Sequence, residues 1–270
     1  MSATTTPAAP ARPLLSVQRL SKAFGGVRAV DNVSFNLGAG EMLALIGPNG
    51  AGKTTCFNMV GGQLAPDAGS VRLGGIELVG LKPEAVWRQG VGRTFQIAET
   101  FASLTVRENV QLALLSHARR VLAWWRPART RFVAEADALL ASVGMAEQAT
   151  RATSVLAYGD VKRVELAIAL AHRPRLLLMD EPTAGMAPLE RDELMALARR
   201  LAREQSIGVL FTEHSMDVVF AHADRILVLA RGELIAEGPP ATVRDDPRVR
   251  EVYFGGGTTF SIPPRETSDA

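Results

Sequence analysis

Eight consecutive residues of this chain have the types and spacing needed to hold a phosphate. Gly47, Pro48, Asn49, Gly50, Ala51, Gly52, Lys53 and Thr54 fit the pattern G-x-x-x-x-G-K-[ST]. The glycines let backbone N–H groups turn inward around phosphate oxygens, and a helix opening here adds the positive end of its dipole. Lys53 is expected to reach the β- and γ-phosphates, and the Thr54 hydroxyl to reach Mg²⁺. Thr55 completes the expected binding loop. Chance is a poor explanation: with glycine at roughly 7% of residues, the pattern arises at roughly 1 in 10⁴ positions or fewer. Lysine is also scarce here, at positions 22, 53, 82 and 162 only.

A second cluster follows the apolar run of residues 176–179. That run delivers Asp180 and Glu181 to the C-terminal end of a strand, where α/β sheets place their ligands. Asp180 would hold Mg²⁺ through water, and Glu181 would orient and polarise an attacking water. Two acids after a strand, taken alone, make a solvated turn or a helix cap; the phosphate loop upstream gives them a task. Gln96 ends the run VGRTFQ and His214 follows IGVLFT, so both sit where a γ-phosphate could be touched. Each, taken alone, reads as a structural residue.

The elements that must position these groups are legible from periodicity. LLSVQRL, VRAVDNVSFNL and EMLALI are expected strands, and residues 53–61 a helix. SVRLGGIELV reads as a hairpin turning at Gly74 and Gly75, and VGRTFQ as a short strand. Residues 105–172 turn helical, with breaks near Arg126 and Pro127, at Gly144, and at Tyr158 and Gly159. After that come the strand RLLLMD, a helix over 188–205, the strand IGVLFT, the helix SMDVVFAHA, and a closing hairpin of ILVLA and ELIAEG around Gly232. Alternating strands and helices predict an α/β fold with a parallel core sheet, interrupted by a helical insert.

Composition narrows the function. The chain has 270 residues, 47% hydrophobic and 21% charged, with a net charge of +2. That charge is too small to argue for nucleic acid as a partner. A single cysteine, Cys56, excludes an intramolecular disulfide and fits a reducing compartment. No apolar run approaches the roughly 18 residues of a membrane span, and the start, MSATTTPAAPARP, lacks a signal peptide's apolar core. Residues 1–13 and 255–270 read as flexible ends around a domain at 14–254. A role at a membrane would therefore need a partner.

In this order, the phosphate loop, Gln96, a helical insert, YGD before a helix, LLLMDEP and His214 resemble an ATP-binding cassette (ABC) transporter ATPase over nearly all of 14–254. The resemblance implies a P-loop NTPase fold with an antiparallel β subdomain, a parallel RecA-like core sheet and a helical signature subdomain at 100–172. It implies ATP and Mg²⁺ as cofactors, Gln96 as a catalytic and metal-facing glutamine, His214 as the switch histidine, and Phe24 as the ring that stacks on adenine. The closest likeness is to branched-chain amino acid importer ATPases (LivG-like), carried by FGGVRAVDNVSF, GRTFQ, LTVRENV, LAYG, DEPTAGMAP and EHSMDVV. That likeness implies a peripheral subunit on the cytoplasmic face of the bacterial inner membrane. Its expected partners are two permease subunits, a second ATPase (LivF-like, or a copy of itself), and a substrate-binding protein acting through the permease.

Two stretches depart from the general pattern. Leu156, Ala157, Tyr158, Gly159 and Asp160 stand where most cassettes have LSGGQ, the signature that grips the partner's ATP. Ala184, Gly185, Met186 and Ala187 stand where many carry SALD, so the last aspartate is missing. Ala157 lacks the serine hydroxyl, and the partner's ATP is expected to be held by backbone and dipole more than by side chain. Urea-type and lipopolysaccharide-export cassettes are alternatives within transport. A soluble cassette acting on DNA or ribosomes is disfavoured by the single cassette and the weak charge, and a switch without turnover is disfavoured by Glu181.

The remaining features have plainer readings beside functional ones. Trp124 and Trp125, near Arg119, Arg120, Arg126, Arg129 and Arg131, cannot both face one core. Either one packs inside above a solvated arginine face, or one meets the permease or lipid headgroups. Cys56 is expected to be buried packing, and Asp31, Glu99, Glu108 and Glu165 caps or surface acids. His117, His172 and His222 have no metal-ligand spacing.

Overall fold

The structure, a computed structural model, describes residues 13–94, 100–118 and 130–254. Strands β1 (Leu15–Phe24), β2 (Val27–Leu37), β4 (Ala68–Leu73) and β5 (Ile76–Glu77) form an antiparallel sheet in the order β2-β1-β4-β5. The central sheet is built from β3 (Met42–Ile46), β6 (Val91–Thr94), β7 (Leu176–Asp180), β8 (Gly208–Thr212), β9 (Arg225–Ala230) and β10 (Glu233–Gly238). Its order is β10-β9-β3-β8-β7-β6, parallel throughout except for β10 at the edge.

The central strands are apolar on both faces because both faces are covered. Leu43, Leu45, Leu176 and Leu178 point into a core shared with the antiparallel sheet. Helix α1 (Lys53–Val60) is enclosed there, burying Cys56, Phe57, Met59 and Val60. Met42, Ala44, Ile46, Leu177 and Met179 point the other way, toward a helical layer. That layer contains α3 (Val106–His117), α4 (Val133–Ser142), α5 (Tyr158–Leu170), α6 (Pro188–Gln205) and α7 (Met216–His222). In α6 the buried residues Leu194, Leu197, Ala198 and Leu201 recur at helical spacing, which seats one stripe on the sheet. Thr105 starts α3 with a capping box: its hydroxyl accepts from Glu108 N, and the Glu108 carboxylate accepts from Thr105 N.

Most expected elements are present, and the differences have physical reasons. β1 runs on past LLSVQRL to Phe24, through register shifts, and closes a hairpin on β2 at Gly25 and Gly26. The ladder of VGRTFQ is described only to Thr94; Gln96 and Glu99 lie outside the described residues, as do Trp124, Trp125 and the break at Arg126 and Pro127. Three helices had no counterpart in the sequence reading: α2 (Pro83–Arg88), α8 (Pro240–Asp245) and α9 (Pro247–Phe254). Each opens on proline, which suits a first helical position, and two turns are too short for a periodic signal. No helix among the described residues is long and apolar enough to cross a membrane.

Candidate functional site

The site lies at the C-terminal ends of β3, β8 and β7. The loop at 47–52 leaves β3 and opens α1. Gly52 sits at φ 101°, and a Cβ there would meet the Ala29 carbonyl at 2.2 Å. A Cβ on Gly47 would meet the Leu229 carbonyl at the same 2.2 Å. Glycine is therefore required at both places by the neighbouring backbone, before any ligand is considered. The loop is buttressed by the β9–β10 turn: Gly232 N donates to Ala51 O at 3.0 Å, and Asp31 N to Gly232 O at 2.8 Å. Lys53 is buried, and its ammonium donates to the carbonyls of Gly47 at 2.7 Å and Pro48 at 3.1 Å. Burial pushes its pKa down, opposed by the carboxylates of Glu181 and Asp180. Thr54 is exposed in the first turn, Thr55 is half-buried, and Asn49 and Gly50 are open to solvent.

Across from this loop, β8 organises the two acids. The Thr212 hydroxyl donates to Asp180 Oδ1 at 2.7 Å and accepts from Glu181 N at 3.1 Å. Glu181 has φ 46°, in the left-handed region that non-glycine residues seldom enter. Its N–H also reaches the Thr212 carbonyl at 3.2 Å, so one residue of β8 holds the unusual backbone in place. The Glu181 carboxylate lies 2.8 Å from Nε2 of His214; with an ionised carboxylate the imidazole is the donor. One residue earlier, the buried Glu213 accepts from both the N–H (2.9 Å) and the hydroxyl (2.6 Å) of Thr183. The segment after the acids is thereby pinned to the β8 tip.

Of the other expected site residues, Phe24 is 50% exposed, with Lys22 Nζ 5.7 Å from its ring centroid, so it is not core packing. Leu156 packs on the helical core, Ala157 is the N-cap of α5 without a side-chain bond, and Tyr158 is exposed beneath Lys162, whose Nζ lies 5.7 Å from the ring. Gly159 is buried beside Glu190 and Met186 at the start of α6, and Asp160 lies in the first turn of α5. Ala187 caps α6 with backbone only; its N–H donates to the Glu190 carboxylate at 3.2 Å.

Sequence reasoning missed Thr212 and Glu213. A threonine at a strand end and a glutamate before a histidine carry no pattern of their own; only strand adjacency reveals them. Cys56 is fully buried, and burial raises its thiol pKa to about 12, in keeping with packing. Asp31 pairs with Arg28 at 2.7 Å; Glu165, expected as a cap or surface acid, is instead buried inside α5 and paired with the buried Lys162 at 3.1 Å. His222 lies 3.1 Å from Asp192. His172 stacks on Trp87 with ring centroids 4.5 Å apart, and His117 meets the same indole edge-on at 5.5 Å. Burial, then the neighbouring His117, lowers the His172 pKa to about 4. No group of three or more His, Cys, Asp or Glu suited to a metal occurs among the described residues. For Mg²⁺ held partly by phosphates, the relevant donors are oxygens, and the Thr54 hydroxyl and the Asp180 carboxylate are of the right kind.

A phosphate loop leaving β3, an acid pair at the tip of β7 and a single strand between them define a P-loop nucleotide hydrolase; the antiparallel sheet and helical layer make it an ATP-binding cassette. Comparison with known proteins agrees. A family model described as ABC transporter matches residues 30–184, and one described as branched-chain amino acid ATP-binding cassette transporter matches residues 233–258. The chain belongs to the ABC transporter family, as one of its ATPases. It is 40% identical over 251 residues to the high-affinity branched-chain amino acid transport ATP-binding protein BraF of Pseudomonas aeruginosa, covering 90% of this chain and 98% of that one. It is 39% identical over 251 residues to the LivG protein of the same description from Escherichia coli, with the same coverage. Among solved structures, the ADP conformation of an ABC transporter cassette matches with a TM-score of 0.81 at 30% identity, over 91% of this chain and all of that one. A nucleotide-free cassette matches at 0.80 and 29%, over 90% of this chain and 100% of that one.

Proposed function

We propose that this chain is the ATP-hydrolysing subunit of an importer for branched-chain amino acids. The observation that carries the hydrolytic part is the contact of Glu181 with His214, set at the strand tips beside the Lys53 loop. Support for the cargo comes from the relatives' names and from the C-terminal match.

In this reading, the loop N–H groups and Lys53 hold the phosphates of ATP, and Phe24 stacks on adenine. Thr54, Asp180 and Gln96 would hold Mg²⁺, which would supply positive charge to offset that of the phosphates. Glu181 accepts a proton from the attacking water, and His214 holds that carboxylate and faces the γ-phosphate. The segment at 156–160 grips the ATP of a second cassette, either a copy of this chain or a LivF-like subunit. Closure of the pair drives two permease subunits at the cytoplasmic face of the membrane, through Gln96 and residues 99–125, where Phe101 is 58% exposed. A substrate-binding protein delivers leucine, isoleucine or valine to the permease.

The test is reconstitution with candidate permeases and binding protein in proteoliposomes. The expected result is ATP hydrolysis stimulated by leucine and not by urea. Stimulation by urea alone would overturn the cargo assignment and leave the ATPase reading standing.

A further inference from the structure

Arg93 lies on β6, which among the described residues pairs only with β7, three residues before Gln96. It shares with Val91, Leu176, Leu178 and Asp180 the face of the sheet that α1 covers. Its side chain is only 12% exposed, a costly place for a guanidinium unless its charge and donors are engaged. The two terminal nitrogens are engaged on three sides. Nη1 donates to Gln63 Oε1 at 2.6 Å, and Nη2 donates to Asn58 Oδ1 at 2.9 Å and reaches Asp180 Oδ2 at 3.4 Å. Below, the guanidinium carbon stands 4.9 Å from the centroid of the Phe57 ring.

Phe57 and Asn58 belong to α1, whose first residues are Lys53 and Thr54, and Gln63 follows closely after its end. Asp180 belongs to β7. Arg93 therefore braces the helix that carries the Thr54 hydroxyl against the strand that carries the Asp180 carboxylate. Asp180 is held on its other oxygen by Thr212 at 2.7 Å, so each carboxylate oxygen has a neighbour, the Arg93 contact being the longer of the two. A lysine could not do the same work. One ammonium on a flexible stem cannot engage Gln63, Asn58 and Asp180 in the fixed fork that a planar guanidinium offers.

We infer that Arg93 is a positioning residue for the metal-assisted step: it sets the separation and orientation of Thr54 and Asp180, the two described side chains assigned to Mg²⁺. The inference rests on that assignment. Its consequence is specific. Loss of Arg93 should spare the binding of nucleotide without metal, which depends on the loop and Lys53, and should weaken the extra affinity that Mg²⁺ confers.

The experiment is to measure ATP affinity by calorimetry, in EDTA and in Mg²⁺, for the intact wild-type chain and for Arg93→Ala, Arg93→Lys and Asn58→Leu. In Arg93→Ala the Mg²⁺-dependent gain in affinity should fall by about tenfold or more, the scale of one lost charge-assisted hydrogen bond, with affinity in EDTA unchanged. Arg93→Lys should recover part of the gain, and kcat should fall more than KM rises in steady-state hydrolysis. Asn58→Leu keeps the charge and cuts one anchor, so it should shift the same ratio in the same direction by less, and it serves if Arg93→Ala does not fold. Equal losses with and without Mg²⁺ would mean general damage and overturn the inference. So would an undiminished or enlarged Mg²⁺ gain, the latter meaning that Arg93 competes with the metal for Asp180. If wild type itself gains no affinity from Mg²⁺, the assignment of Thr54 and Asp180 fails, a result distinct from failure of the Arg93 role.

Discussion

Asp180, Glu181 and Thr183 are each held by a side chain at the end of β8, through Thr212, His214 and Glu213. The starts of α5 and α6 are built differently. Both begin on alanine, Ala157 and Ala187, with extended backbone (ψ 154° and 152°) and no side-chain oxygen to accept from the first helical N–H groups. The first region is ordered by the chain itself, and its acids are preorganised at the cost of a left-handed backbone at Glu181. The second leaves orphan donors at two neighbouring helix starts, with Gly159 packed against Glu190 between them. Unpaired N–H groups at a helix start suit an anion brought by another molecule. In the proposed function, the contrast separates a site that works on its own ATP from a surface that a partner's ATP would complete.

The comparison can be stressed first at its ordered side. Lys53→Ala removes the cation buried in the loop, and nucleotide affinity measured by calorimetry is expected to fall by about 10- to 100-fold, the scale of hydrogen bonds to a charged group. A change confined to α5 or α6 should have no such effect on the first ATP.

The next stress falls on α5, whose far end is anchored although its start is bare. His172, just past α5, packs against Trp87 of α2 and His117 of α3. Folding lowers its pKa from 6.5 to about 4. Between those values the unfolded chain binds a proton at this residue that the folded chain refuses, so stability rises with pH through that window. It is lost as pH falls from 6.5 toward 4, by about 3 kcal/mol for this group. His172→Phe keeps an aromatic ring beside Trp87 and should flatten that part of the stability curve, read by urea unfolding at a series of pH values.

The smallest effects should come from filling the bare caps. Ala187→Asp and Ala157→Ser each supply an N-cap acceptor worth about 1 kcal/mol, or about 2–4 °C in Tm for a chain of this size. Calorimetric scans of the two variants check this. If neither gains stability, the bare-cap description of these helix starts is wrong.

The sequence was most informative where a side chain's role depends on its neighbours in the chain. The loop at 47–54 declared itself, because phosphate binding there uses consecutive backbone groups. The strand that ends at Asp180, just before Glu181, and the long helix at 188–205 were equally plain, the latter from its apolar stripe. Phe24 was assigned only through the resemblance, and its exposure sets it apart from the core. Thr212, Glu213 and Arg93 were silent because their partners lie 30 to 87 positions away, across strands whose order no local pattern states. The helices α2, α8 and α9 were missed for the opposite reason, being too short to repeat. Gln96, Trp124 and Trp125 fall outside the described residues, and their roles rest on the resemblance and on spacing.

The most direct test is of Glu181 as the residue that activates water. Hydrolysis of Mg-ATP by Glu181→Gln should be compared with wild type at saturating nucleotide, with ATP affinity measured on the same preparations. The glutamine keeps the shape and removes the base, so kcat should fall by about 10²-fold or more while ATP affinity stays as in wild type. Hydrolysis at the wild-type rate with ATP bound normally would contradict the account and move the base elsewhere.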